Sequence, residues 1–285
     1  MSPLRQQMIN AMVQHGFSPR THKSYLWAVK DLARYFHQSP DSLRPEQIQV
    51  YFNYLVQERH LGHSSCRLHL NGLRFLYLQV LHWEQFDIPI NYPKQKRKIP
   101  ELLTRAEAKQ IILACDNPRY RMMLLVCYGC GLRVSELVEL KVRHIDGERQ
   151  LLRVEQGKGG KDRMVCLSPV LLQQLRHYWL RYRPDYWLFP NRTRPHLHLC
   201  PTTIQKTFVR AKRKVGNQKV GGIHSLRHAY ATHQLEDGLP IHKLQQQLGH
   251  TDIHTTLRYV HWVPSSDQAR RQISDLVGQL AVDHA

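Results

Sequence analysis

The sequence predicts a mainly α-helical protein of two domains, the second of which adds a small β-hairpin. Three observations predict it. Apolar residues recur at helical spacing through most of the chain, a proline-bracketed basic stretch over 92–100 interrupts them, and two short β-prone runs flank a glycine-dense turn at 157–162. The length, 285 residues, suits two modest domains at about 100 to 200 residues each.

In the first part, Tyr25, Val29, Leu32 and Phe36 follow one another at i, i+4, i+7 and i+11, and Leu73, Leu76, Tyr77 and Val80 at i, i+3, i+4 and i+7. Ile48, Tyr51, Phe52 and Leu55 form a third stripe after Arg44-Pro45-Glu46, with the proline suited to a first helical turn. Ser18-Pro19 opens a helix, Gly62 closes one, and Ser64 or Ser65 caps the next. The expectation is a bundle of about four helices over 1–92. Two prolines, Pro93 and Pro100, then enclose Lys94, Lys96, Arg97 and Lys98, a composition suited to an extended, exposed linker over 93–100.

The second domain, 101–285, begins with Thr104-Arg105-Ala106-Glu107, a capping box. A long apolar helix is expected to Cys127, broken by Gly129-Cys130-Gly131. Strands at 151–154 and 163–167 enclose Gly157-Lys158-Gly159-Gly160-Lys161-Asp162 as a hairpin. Helices are expected at 171–182, 202–215, 225–236, 240–248 and about 255–260. A last one, about 265–282, shows Ile273, Val277 and Leu280 as an apolar stripe.

Charge narrows the function. The chain holds 41 Lys and Arg against 22 Asp and Glu, a formal charge of +19. Both parts and the strap between them are basic, which points to a clamp around a nucleic-acid duplex. No apolar run approaches the roughly 20 residues that span a bilayer, and the start has no signal-peptide core, so a cytoplasmic protein without a membrane partner is expected. Six cysteines are too sparse for a disulfide scaffold. Cys127 and Cys130 read as small core residues on a helix, and His196, His198 and Cys200 lack a repeated ligand spacing. No metal and no other cofactor is expected.

Four segments hold ionisable residues that core packing does not explain: Gly131-Leu132-Arg133-Val134-Ser135-Glu136-Leu137, the lysine hairpin, His224-Ser225-Leu226-Arg227-His228, and Leu248-Gly249-His250 with Tyr259 nine residues later. Arginines present planar forks of donors to phosphate oxygens, and preorganised donors lower the barrier to attack on a phosphodiester. A hairpin lysine supplies a mobile acid for a leaving alkoxide, and spacing alone does not choose between Lys158 and Lys161. Tyr259 is a candidate nucleophile if nearby cations favour its phenolate and a histidine takes its proton.

Together, Arg133 in Gly-Leu-Arg-Val-Ser-Glu-Leu, His224-x-Leu-Arg227-His228, Leu248-Gly249-His250 and Thr255-Thr256-x-x-Tyr259 resemble the catalytic set of the tyrosine recombinases, the phage-integrase and Xer-like family. Order and spacing match from 101 to about 262, and the first module resembles the family's SAM-like core-binding domain. Ser225 departs from an acidic residue frequent there, and Arg258 from an apolar one. The segment before His224 is too short for the extra helix of integron integrases.

The resemblance implies that Arg133 and Arg227 bind the scissile phosphate, that Lys158 is the general acid, and that His224 assists proton transfer from the nucleophile. His250 would hydrogen-bond the phosphate, and Tyr259 would form a 3′-phosphotyrosine bond without metal or ATP. It further implies a homotetramer on two DNA sites with inverted-repeat cores, held by the C-terminal helix. Arg20, Lys23 and Arg74, with Gln7 and Thr21, the linker cations Lys94, Lys96, Arg97 and Lys98, and Lys206, Arg210, Lys212, Arg213 and Lys214 are the expected DNA backbone contacts. The function expected is site-specific recombination, for a mobile element or in Xer-like resolution. A monomeric type IB topoisomerase-like nicking-closing enzyme and a catalytically silent DNA-binding regulator are the alternatives.

Overall fold

The computed structural model describes residues 2–89, 101–155 and 162–262. The chain forms two compact units, Met1–Lys98 and Ile99–Ala285. The expected linker over 93–100, both hairpin lysines and the expected last helix lie outside the described residues.

The first unit is helical: α1 (Pro3–Gln14), α2 (Pro19–Phe36), α3 (Pro45–Gln57) and α4 (His63–Phe75). Ser2 and Ser18 cap α1 and α2, each ahead of a proline whose missing N–H costs nothing in a first turn. The Gln47 side chain accepts from the Arg44 backbone N–H at the start of α3. The stripe of Leu32, Ile48, Tyr51, Phe52, Leu55, Leu73, Leu76 and Tyr77 is the core.

Two boundaries differ from expectation. Gly62 is the N-cap of α4, so Ser64 and Ser65 fall inside that helix. The Leu73 to Val80 stripe crosses from α4 into a π-helical turn at Leu76–Val80, where the Tyr77 hydroxyl donates to the Pro40 carbonyl at 2.8 Å.

In the second unit the Thr104 capping box starts α5 (Arg105–Leu113), with Glu107 N donating to Thr104 Oγ1 and Thr104 N to Glu107 Oε2. The long apolar helix expected to Cys127 follows. Asn117 caps a new start at Pro118, and α6 (Pro118–Cys130) runs past Gly129 to Gly131. A proline suits that first turn, and the helix runs three residues beyond the expected end at Cys127. Cys127 and Cys130 are buried free thiols on α6.

Gly131 ends α6 in the left-handed region, φ +59, and a Cβ there would lie 2.3 Å from the Tyr230 ring. Only glycine fits that turn. Directly beyond it, α7 (Val134–Val138) begins with Arg133 as its N-cap residue.

The sheet is three-stranded and antiparallel in the order β1 (Ile145–Asp146), β2 (Leu151–Val154) and β3 (Arg163–Cys166). Leu152 pairs with Val165, both buried, while Arg153 between the buried Leu152 and Val154 is exposed, the period of two expected of a half-buried strand. β1 was not predicted, being too short to show a pattern. Then follow α8 (Pro169–Tyr182), α9 (Pro201–Lys214), α10 (His224–Glu236), α11 (Ile241–Leu248) and α12 (Ile253–Val260). α10 packs against α6, α11 and α12, and so ties the helix that ends at Gly131 to α11 and α12.

Candidate active site

Arg133, His224, Arg227, His250 and Tyr259 line one cleft of about 260 Å³ in the second unit, joined by His228, Thr255, Arg258 and Trp262. They come from the start of α7, from α10, from the turn after α11 and from α12. Five of the six catalytic positions expected from sequence therefore converge. The sixth, Lys158, lies outside the described residues, as do Lys161, Lys94, Lys96, Arg97 and Lys98.

Arg227 forms the floor, 1% exposed. Its Nη1 donates to the Gly131 carbonyl and its Nη2 to the Leu248 carbonyl, both at 2.7 Å, with His250 Nε2 3.0 Å from Nη2. Burial, then the nearby Arg133 charge, lowers its pKa to about 10, which leaves it fully charged at neutral pH. A guanidinium only donates, so His250 Nε2 accepts, and Nδ1 carries the proton that goes to Thr256 Oγ1 at 2.9 Å. Burial and then the Arg227, Arg133 and Arg163 charges push His250 down to about 3, so this imidazole is neutral.

Glu136 is the counter-charge. Its Oε1 accepts from Arg133 Nη1 at 2.7 Å and Arg163 Nη1 at 2.9 Å, and its Oε2 from the Arg133 backbone N–H and Arg163 Nη2, both at 2.8 Å. Burial alone raises a carboxyl's pKa, but here the Arg163 bonds and charge, then Arg133, outweigh it and hold Glu136 at about 2. The C-terminal end of α11 adds to this. Its carbonyls at Gln247, Leu248 and Gly249 accept from Arg163 Nε, from Arg227 and Arg133, and from Arg133 respectively. The negative end of a helix dipole thus faces three guanidiniums. Gly249 has φ +62, and a Cβ there would lie 2.8 Å from Arg163 Cδ, so glycine permits both the helix cap and the close approach.

Tyr259 is 4% exposed, with its hydroxyl 3.1 Å from His228 Nδ1 and its ring edge-on to Trp262. Burial raises the phenol's pKa despite opposition from Arg227 and Arg133. The arginines act toward phenolate as expected, but in the free protein desolvation outweighs them. The imidazole bonded to the phenol is His228, while His224 lies edge-on to His228 at 4.6 Å and exposed at the cleft. Burial, then the His224 and Arg227 neighbours, lower His228 to about 4.

Glu136, Arg163, His228 and Thr256 carry no role in the sequence reading. Three of them stand inside the quoted motifs, and Arg163 had no signal beyond its place after the hairpin. Among the expected DNA contacts, Arg20, Lys23 and Arg74 are exposed on α2 and α4. Arg20 and Thr21 line a cleft with Arg67, which sequence reasoning did not select. On α9, Lys206, Arg210 and Arg213 are exposed, whereas Lys212 Nζ donates to the Lys219 and Gly221 carbonyls and Lys214 pairs with Asp116 at 2.6 Å. Those two cations thus have intramolecular partners that a basic run does not reveal.

With this geometry in place, comparison with known proteins defines the class. Residues 101–265 match the phage integrase family and residues 4–85 its N-terminal SAM-like domain. The chain belongs to the phage integrase family of tyrosine recombinases. It is 39% identical over 263 residues to tyrosine recombinase XerA of Pyrococcus horikoshii, covering 90% of this chain and 88% of that one. To an integrase/recombinase of Escherichia coli it is 30% identical over 292 residues, covering 86% and 85%. A crystal structure of XerA recombinase is similar at TM-score 0.53 and 27% identity over 99% of both chains. The Tn1549 transposon integrase, solved with transposon right end DNA, shares the fold at TM-score 0.72 and 15% identity over 98% of this chain and 99% of that one.

Proposed function

We propose that this recombinase cuts and rejoins double-stranded DNA at specific sites through a covalent 3′-phosphotyrosine bond at Tyr259. The observation that carries the reading is the convergence of two arginines, a neutral histidine and a buried tyrosine on one cleft of about 260 Å³. The donors of Arg133 and Arg227 meet the non-bridging oxygens, whose negative charge grows as the phosphorus becomes five-coordinate. The Tyr259 oxygen forms a bond to phosphorus, the bond to the 5′ oxygen breaks, and the leaving 5′-hydroxyl takes a proton from Lys158. The phenol's own proton goes to the imidazole in reach, His228, with His224 at the cleft mouth beside it.

Raised phenol and lowered imidazole pKa values oppose that transfer in the free protein. An arriving phosphate anion favours the protonated imidazole, so attack waits for substrate. Religation reverses the step with a 5′-hydroxyl from another strand, and the phosphotyrosine conserves the bond energy. Joining partners in a tetramer on two inverted-repeat sites follows from the same reading, for a mobile element or in Xer-like resolution.

The test starts from duplexes with a randomised core and a nick that lets the short cleaved piece diffuse away. Covalent protein–DNA adducts resistant to denaturant are recovered and sequenced to define the site. Wild type is expected to yield adducts and Tyr259→Phe none. Adducts with the phenylalanine variant, or none with wild type on the whole library, would overturn the assignment.

A further inference from the structure

The strand that emerges from the lysine hairpin begins with Arg163, and its side chain lies 9% exposed between two things the active site depends on. One is the Glu136 carboxylate. The other is the turn after α11, where Arg163 Nε donates to the Gln247 carbonyl at 2.9 Å and the guanidinium crosses the bare face of Gly249. The next residues of β3 extend the same tie, since the Cys166 N–H donates to Gln247 Oε1 at 2.9 Å.

A carboxylate has about four lone-pair positions. At Glu136 two are taken by Arg133 and two by Arg163. Arg227 Nη1 stands at 3.8 Å from Oε2, outside hydrogen-bond reach, and is committed to the Gly131 carbonyl instead. We infer that Arg163 is a positioning residue for the phosphate-binding pair: by filling half of the Glu136 carboxylate and clasping the 247–249 turn, it stops Arg227 from collapsing onto Glu136.

The inference rests on the function proposed above. Without Arg163, a buried carboxylate would keep two empty positions, a strongly unfavourable state whose nearest relief is Arg227. A shift of about 1 Å closes that gap, and misplacement on this scale costs about 100-fold in rate even when binding is intact. The loss is electrostatic, so removing the Glu136 charge should reverse it.

The experiment is a double-mutant cycle on the site recovered above, using the full chain. Adduct formation is timed at saturating and sub-saturating DNA for wild type, Arg163→Met, Glu136→Gln and the double variant, with melting curves for each. Arg163→Met is expected to slow saturated cleavage about 100-fold, with DNA affinity within about threefold of wild type. The double variant is expected to regain about tenfold over Arg163→Met, because a neutral amide does not draw Arg227 in.

A purely structural Arg163 predicts the opposite, with the double variant equal to or slower than Arg163→Met. That outcome, or Arg163→Met cleaving at the wild-type rate, overturns the inference while the function stands. Absence of any wild-type adduct overturns the function itself. Should Arg163→Met not fold, the same cycle with Arg163→Lys, which keeps the charge but not the fork, decides the matter: cleavage at the wild-type rate rejects the inference.

Discussion

Arg227 shows what one residue costs and supplies. A guanidinium 1% exposed survives burial only because carbonyls from Gly131 and Leu248 meet its donors and Glu136 balances the cluster. Burial and the neighbouring arginines keep the nearby imidazoles uncharged, and this has a pH consequence. His228 at about 4 and His250 at about 3 lie below the ordinary 6.5, so between those values the unfolded chain binds protons that the fold does not. Stability therefore falls as pH drops below 6.5. Glu136, depressed to about 2 from 4.5, contributes stability that is full above 4.5 and is lost as pH falls toward 2. Calorimetry from pH 7 to 4 should show a steady fall in Tm. His228→Phe should flatten it, removing on the order of 1–2 kcal/mol of the loss at pH 5. A flat wild-type profile would contradict neutral buried histidines. On activity, both His228→Gln and His228→Phe are expected to slow adduct formation about 100-fold, as loss of a proton acceptor requires. A glutamine variant as fast as wild type would confine His228 to orienting the phenol.

At the scale of elements, the site is a meeting of helix ends. α6 ends at Gly131, α7 begins at Arg133, α10 begins at His224, and α11 ends at Gly249. Unpaired carbonyls at helix C-termini serve as acceptors for the arginines, and one turn of α12 sets Thr256 and Tyr259 on the same face. Most helices were legible in the sequence because periodicity and caps are local. Ser18 and Thr104 each cap where a cap is expected. The end of α6 was less exact, since Gly129 stays helical and it is Gly131 that takes the left-handed turn. Gly131→Ala should destabilise the second unit by at least about 2 kcal/mol, because both its φ and the Tyr230 ring exclude a side chain. Denaturant unfolding checks it against Ser18→Ala, expected to cost about 1 kcal/mol in the first unit.

For the whole molecule, the +19 charge separates into groups with different tasks. Some cations, such as Arg163, Lys212 and Lys214, have partners inside the fold, while Arg20, Lys23, Arg74, Lys206, Arg210 and Arg213 are exposed on helices of one unit or the other. If those exposed cations meet DNA phosphates, log affinity should fall linearly with log salt, and each charge removed should shallow the slope by about 0.9. Filter binding of Arg210→Ala and Lys23→Ala across a salt series measures this. An unchanged slope in both would remove these residues from the interface. Lys214→Ala, already paired with Asp116, should change the slope less.

By itself the sequence determined the family. A tyrosine at fixed distance beyond Gly-His, and arginines in two short motifs, are local strings that mean little singly and mark the family by their order together. It determined the helical character and the preference for an anionic partner for the same reason, since periodicity and charge are read without a fold. Tertiary structure alone decided which groups touch. It set His228 rather than His224 on the phenol, made Glu136 the shared counter-charge, and brought Arg163 against the end of α11 more than eighty positions away. Such pairings depend on burial and on which helix ends converge. A low dielectric then amplifies each contact, and that amplification sets the protonation of the site.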